Sequence, residues 1–247
     1  MQPLLLPLLL AFFLPSRAET GEIIGGHEAE PHSRPYMAYL QFYQGKPKFC
    51  GGFLIRKDFV LTAAHCRGSS MNVTLGAHNI RRREETQQVI RVRRAIPHPD
   101  FDPNTLANDI MLLELERKAN QTPKVQTLKL PRVTSRVTPG LVCDVAGWGW
   151  IAIDGPPSDV LQEVMLTVQR DDKCESLFHM YTRNTQICVG DPKLIKSSFK
   201  GDSGGPLVCD DVAQGIVSHG KRNGKPPQVF TRVASFLPWI HETMRSF

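Results

Sequence analysis

The chain has 247 residues, 41% hydrophobic and 22% charged, with a formal net charge of +6 at pH 7. Normal apolar content and so modest a charge exclude a disordered chain, and the length allows one large domain or two small ones with an ample core. Nineteen Gly and nineteen Pro point to many turns and short elements, as all-β folds have.

Leu4 to Leu14 is nearly unbroken apolar sequence, interrupted only by prolines, and is too short to span a bilayer. Small and polar residues follow (Ser16, Ala18, Thr20), so residues 1–20 read as a secretory signal, although no Lys or Arg precedes the apolar run. A buried N-terminal strand is the alternative. No later stretch is long enough for a membrane helix, and the mature protein is expected to be soluble.

Short apolar or alternating runs then recur at Phe53–Ile55, Phe59–Ala64, Ile110–Leu115, Val142–Ala146, Val164–Val168, Pro206–Val208 and Gly215–Ser218. Gly, Pro, Asn or charged clusters separate them, which is a strand-and-turn pattern. Pro123 to Pro139 is the best connector between two halves. Only the C-terminus reads as helical: Val233, Phe236, Ile240, Thr243 and Met244 recur at three-to-four spacing, with Pro238 in the first turn.

Six cysteines (Cys50, Cys66, Cys143, Cys174, Cys188, Cys209) in a secreted chain suggest three disulfides, and spacing alone leaves 15 connectivities open. Zinc would need close CxxC pairs, which are absent. His27, His32, His78, His98, His179 and His241 lack metal spacing and are assigned to the surface or loops. No cofactor is expected.

Three segments carry chemistry. In Gly201-Asp202-Ser203-Gly204-Gly205-Pro206, glycines let the chain turn tightly, expose a hydroxyl and aim backbone N–H groups at one point. Leu61-Thr62-Ala63-Ala64-His65-Cys66 ends an apolar run on an imidazole beside a covalent anchor, and neutral imidazole can accept a serine proton. Asn108-Asp109 places an acid directly before the apolar run Ile110–Leu113, where it needs a partner such as a His N–H.

In the order His, Asp, Ser, these segments resemble the chymotrypsin-like serine proteases, and Ile23-Ile24-Gly25-Gly26 resembles that family's mature N-terminus. The likeness runs from Ile23 to about Trp239. Within the family, residues 31–38 and 72–80 resemble the granule proteases of leukocytes and mast cells, the group of cathepsin G, granzymes B and H and the chymases. The tail, residues 229–247, is most like cathepsin G. The resemblance implies two six-stranded antiparallel β-barrels (about 23–125 and 131–232) and a C-terminal helix (about 233–245). It implies the pairing Cys50–Cys66, Cys143–Cys209 and Cys174–Cys188. It makes Ser203 the nucleophile, His65 the general base and then acid, and Asp109 the group that orients His65. The N–H groups of Gly201 and Ser203 become the oxyanion hole, and Ser218 hydrogen-bonds the aspartate. Gly21-Glu22 resembles a short propeptide removed by a dipeptidyl peptidase, after which the Ile23 ammonium pairs with Asp202.

The same resemblance implies a specificity site. Ser218 to Gly220 resembles the edge that pairs with substrate backbone. Ser197 resembles the pocket base, aspartate in tryptic relatives. Gln228 resembles the wall position where granzyme B has an arginine and human cathepsin G a glutamate. Neither acidic nor basic P1 side chains gain a charge partner, so Phe, Tyr, Leu or Met is expected at P1, with Asn as the alternative. Phe199 stands where many relatives carry a cysteine, so the pocket wall lacks that bridge. Leu106 resembles the border of S2, His219 would give a polar and pH-sensitive S2–S4 surface, and Lys200 a rim favouring acidic flanking residues. Arg81-Arg82-Arg83 with Arg91, Arg93 and Arg94 form either a solvated face or a site for anionic proteoglycan such as heparin. Asn72-Val73-Thr74 and Asn120-Gln121-Thr122 fit the glycosylation pattern. A secreted, monomeric granule peptidase, open to serpin-type inhibitors and binding no specific nucleic acid, is the resulting expectation. A non-catalytic cationic granule protein is the rival from another class.

Overall fold

The computed structural model describes residues 23–152 and 154–247. The expected signal and dipeptide lie outside them. Strands follow in chain order: β1 (His27–Glu28), β2 (Met37–Gln44), β3 (Lys46–Arg56), β4 (Phe59–Thr62), β5 (Ser69–Leu75), β6 (Gln88–Pro97), β7 (Met111–Leu115), β8 (Val142–Gly147) and β9 (Gln162–Thr167). After a short helix, α1 (Asp171–Glu175), come β10 (Gln186–Val189), β11 (Pro206–Cys209), β12 (Val212–His219), β13 (Gln228–Arg232) and the terminal helix α2 (Leu237–Arg245).

Strands β2 to β7 close an antiparallel barrel in the order β2-β3-β4-β7-β6-β5. Closure removes the free edges that an open sheet exposes. β4 and β7 are the buried staves: every residue of both is shielded, which explains their continuous apolar sequences. Glu114 is the exception in β7, and Arg93 and Arg94 of β6 meet its carboxylate at 3.5 and 3.0 Å.

The second sheet has the order β1-β9-β8-β11-β12-β13-β10. Its two flanks meet where Val168 bridges Val189, with Gln169 N–H donating to Cys188 O and Gly190 N–H to Thr167 O, both at 2.8 Å. Six strands thereby curl into a second barrel-like body, and β1 adds a short seventh.

The first and the last described segments each pack in the opposite half. Ile23 is buried in the second core with Val145, Val164 and Phe230, and β1 pairs with β9. Val233, Phe236, Leu237 and Ile240 are buried in the first core. Val233–Phe236 form a 3-10 turn, so the regular helix begins at Leu237, with Pro238 in its first turn. The connector 123–139 contains no strand but anchors Val125 and Leu128 in the first core.

The disulfides are Cys50–Cys66, Cys143–Cys209 and Cys174–Cys188. Cross-links of this kind constrain the unfolded chain. No helix among the described residues is long and apolar enough to cross a membrane. One of the loop histidines is not at the surface. His78 is buried, its Nε2 lies 2.8 Å from Glu28 Oε1, and its carbonyl accepts from Trp148 Nε1.

Candidate active site

The site lies where the halves join backbone to backbone. Gly51 N–H, on β3, donates to Ser203 O at 2.8 Å, and a Cβ at Gly51 would stand 3.1 Å from Gly205 N. Only a bare backbone lets the strand and the serine loop approach this closely.

His65 sits in a one-turn 3-10 segment (Ala64–Cys66) that ends β4, fixed on its far side by the Cys50–Cys66 bridge. Its Nδ1 lies 2.7 Å from Asp109 Oδ2, and its backbone N–H donates to Asp109 Oδ1 at 3.0 Å. Ser218 Oγ donates to Oδ2 at 2.6 Å. The β12–β13 register shifts between Val217 and His219, an irregularity of the kind that re-aims a side chain beside a site. Asp109 is fully buried. Burial alone would push its carboxyl up, but the His65 ring, the Ser218 hydroxyl and the His65 N–H together hold it below the usual carboxylate range. A carboxylate so held fixes the proton on His65 Nδ1 and leaves Nε2 as an acceptor toward the cleft.

Of the five N–H groups from Gly201 to Gly205, three have partners: Asp202 donates to Phe199 O, Gly204 to Val217 O and Gly205 to Asp202 O. Those of Gly201 and Ser203 have none among the described residues. Gly201 has φ +97°, and a Cβ there would collide with the Phe49 ring; Gly204 has φ +82°, and a Cβ would collide with Thr62 Oγ1. Two unpartnered donors two residues apart can hold a developing oxyanion. Ser203 Oγ makes no hydrogen bond to His65 here, the loose nucleophile–base geometry common before substrate arrives.

Asp202 is buried as completely as Asp109, but receives only Gly149 N–H (2.9 Å) and Phe199 N–H (2.8 Å). Burial pushes its carboxyl up to about 7 against those two donors, and no cation pairs with it among the described residues.

A cavity of about 370 Å³ opens beside Ser203, lined also by Phe199, Lys200, Ser218, His219, Gly220 and Gln228. Its polar walls satisfy one another. Ser198 N–H and Oγ both donate to Gln228 Oε1 (3.0 and 2.8 Å), and Gln228 Nε2 donates back to Ser198 O (2.7 Å). Ser197 Oγ donates to Gly224 O at 2.6 Å. Phe199 packs against Gly224, whose built Cβ would lie 3.1 Å from the ring. Lys200 Nζ rests 4.8 Å above the Trp150 ring at the rim. Leu106, at φ +56° on the loop before Asp109, does not line this cavity. The Phe178 ring, which the sequence reading did not single out, meets His219 edge-on at 5.6 Å. Its only sequence signal is an aromatic four residues after Cys174. Cys50, His65 and Cys66 bring potential ligand atoms together, but the two sulfurs are joined to each other and are not thiolates.

Comparison with known proteins agrees with this geometry. The trypsin family model matches residues 23–240. Human granzyme B is 62% identical, with all of both chains covered. Human cathepsin G is 60% identical, covering 100% of this chain and 96% of that one. A solved structure titled "Structure of GrC" superposes with a TM-score of 0.88 at 59% identity, covering 90% of this chain and 100% of that one. By sequence and by fold, the chain belongs to the trypsin family of serine endopeptidases.

Proposed function

We propose that the chain is a secreted granule endopeptidase that cleaves after neutral, bulky residues by an acyl-enzyme route. The supporting observation is the pair of unpartnered N–H groups at Gly201 and Ser203, on a loop whose Ser203 carbonyl is bonded by Gly51 of the half that holds His65 on Asp109. Ser203 Oγ attacks the scissile carbonyl, and His65 Nε2 takes its proton and returns it to the leaving amine. Asp109 keeps Nδ1 protonated and stabilises the imidazolium. Each N–H donor contributes about 2.7–4 kcal/mol at the transition state. Substrate backbone lies along Ser218–Gly220, and water then hydrolyses the ester.

The P1 preference rests on the closed polar walls. Gln228 and Ser198 leave one amide N–H without a partner, and Ser197 is engaged by Gly224. Neither Gln228 nor Ser197 gives a P1 Lys or Asp a charge partner, and a P1 Asn would meet one free amide N–H of Gln228. Phe, Tyr, Leu and Met ask for neither. Asn remains the alternative, because that free N–H can donate to its side-chain oxygen.

Activation uses the uncompensated Asp202. Removal of Gly21-Glu22 by a dipeptidyl peptidase frees the Ile23 ammonium to pair with it, a buried ion pair that acts as a switch. The enzyme works as a monomer, meets serpin-type inhibitors, and is held on anionic proteoglycan by its arginines. Glycan acceptors are Asn120, exposed in a loop, and Asn72, half-buried in β5.

A fluorophosphonate probe should label Ser203 of the chain beginning at Ile23, and lose the label in Ser203→Ala. Among matched peptides with P1 Phe, Met, Asn, Asp or Lys, kcat/KM should be greatest for Phe or Met. Fastest cleavage after Asp or Lys would overturn the pocket reading. Absence of labelling would return the chain to the non-catalytic cationic class.

A further inference from the structure

His219 ends β12 beside the triad, and its neighbours fix its tautomer as well as its place. Ser218 Oγ lies 2.6 Å from Asp109 Oδ2 and 3.0 Å from His219 Nδ1. A hydroxyl has one proton to donate, and Asp109, ionised, can only accept it. The other contact must therefore run from His219 Nδ1–H to Ser218 Oγ. The imidazole is held with its proton on Nδ1, and Nε2 carries the lone pair. Nε2 has no partner among the described residues, and His219 lines the cavity that holds Ser203 and Gln228. Phe178 fixes the ring plane, edge to face at 86°.

We propose that His219 is a protonation-gated specificity residue. Neutral, its Nε2 accepts a hydrogen bond from substrate; protonated, it donates to and attracts a carboxylate, so selectivity for an acidic side chain upstream of the scissile bond appears as the pH falls. The inference rests on the peptidase reading above, with substrate laid along Ser218–Gly220.

The charges around the ring set the direction. Burial lowers the His219 pKa first; Asp109 opposes this and His65 adds to it. Lys200, Lys221 and Arg222 line the same cavity and disfavour a further cation, while Phe178, from the loop after α1, brings no charge. The ring of the free enzyme is neutral at pH 7 and charges below the ordinary histidine value of about 6.5. A substrate carboxylate at Nε2 supplies the counter-charge that the cavity lining lacks.

The test uses peptide pairs identical except for Glu or Gln, placed in turn at P2, P3 and P4. The measured quantity is the ratio of their kcat/KM values between pH 7.5 and 5.0. Both peptides are cleaved by the same catalytic groups, so any pH dependence of the chemistry itself cancels in the ratio. The peptide carboxyl, with an ordinary pKa of about 4.3, stays mostly ionised over that range. At one position the Glu/Gln ratio should rise about tenfold on acidification, within the usual span of linked equilibria. His219→Phe, which keeps a ring against Phe178, and His219→Gln, which keeps polarity, should both give flat ratios. Rates are normalised to the sites labelled by the fluorophosphonate, so a poorly folded variant does not distort them. A flat wild-type ratio at all three positions would overturn the proposal, as would an equal rise in His219→Phe. Failure to cleave either peptide at any pH would overturn the peptidase reading and this inference with it.

Discussion

Asp109, at the mouth of β7 in the first barrel, and Asp202, in the loop before β11 in the second, are both shut away from solvent. They are electrostatic opposites. Asp109 collects the His65 ring, the His65 backbone and the Ser218 hydroxyl, and lies below the usual carboxylate range despite its burial. Asp202 collects two backbone N–H groups and is pushed up to about 7. The first half therefore completes its part of the site from its own chemistry plus one serine. The second half holds a charge that its described residues leave uncompensated. A buried charge with full partners fixes geometry, and one without them waits for a cation.

The largest expected effect comes from dismantling the compensated aspartate. Asp109→Asn keeps size and burial but can donate to His65 Nδ1, which inverts the imidazole tautomer and removes the acceptor at Nε2. The expected loss in kcat on a P1 Phe peptide is about 10⁴-fold. A loss of under tenfold would mean that Asp109 does not orient His65.

Supplying the missing cation to Asp202 tests the other half. The chain beginning at Gly21 should be slower than that beginning at Ile23 by at least about 10²–10³-fold in kcat, the effect of losing an oxyanion donor. Stability carries a second signature. In the Gly21 form the folded carboxyl keeps its proton up to about pH 7, whereas unfolding returns it to an ordinary value of 3.8. Its stabilising contribution is thus fully present below about pH 4 and is lost as pH rises toward 7. In the Ile23 form the ammonium offsets that loss. The melting-temperature gap between the two forms should therefore be smallest near pH 4 and widest at pH 7–8. A gap independent of pH would separate Asp202 from the N-terminus.

Placing a charge in the specificity cavity extends the comparison. Gln228→Glu breaks the amide donation to Ser198 O and puts an anion in a wall whose lining also holds Lys200, Lys221 and Arg222. Gln228→Arg does the same with a cation. Each should raise kcat/KM for the complementary P1 side chain, Lys or Asp, relative to Phe by about tenfold, which needs only about 1.4 kcal/mol. Unchanged P1 ratios in both variants would show that residue 228 does not face P1.

What the sequence revealed follows the same division. Continuous apolar runs announced β4 and β7, because strands buried on both faces need no polar residue. β6 (QVIRVRRAIP) escaped, since arginines on its exposed positions mask the alternation, and β10 is only four residues long. The His65 and Ser203 segments stood out because glycine spacing and a His-Cys pair are local signals. The closure of Ser198 on Gln228, the burial of His78 and the Phe178–His219 contact were not, because each joins residues 30 to 50 positions apart or turns on side-chain direction. Ile23 was singled out by resemblance, but its burial among second-barrel side chains, far along the sequence, is a tertiary fact.

The smallest expected effect concerns the surface arginines, and the same distinction decides which of them matter. Arg93 and Arg94 already face Glu114, and Arg81 faces Asp159 at 3.0 Å. Arg82 and Arg83 are exposed and have no ion pair among the described residues. An anionic polymer must compete with the existing partner for the first group and meets only water at the second. An exposed pair such as Arg81–Asp159 is worth about 0–1 kcal/mol, and the shielded Glu114 holds two arginines at once, so the competition is real. Arg82→Gln with Arg83→Gln should therefore lower the salt needed for elution from a heparin column more than Arg93→Gln with Arg94→Gln, although both remove two charges. Equal shifts would mean that net charge alone drives retention. A larger shift from Arg93 and Arg94 would place the polymer along β6 and show that Glu114 yields its partners to it.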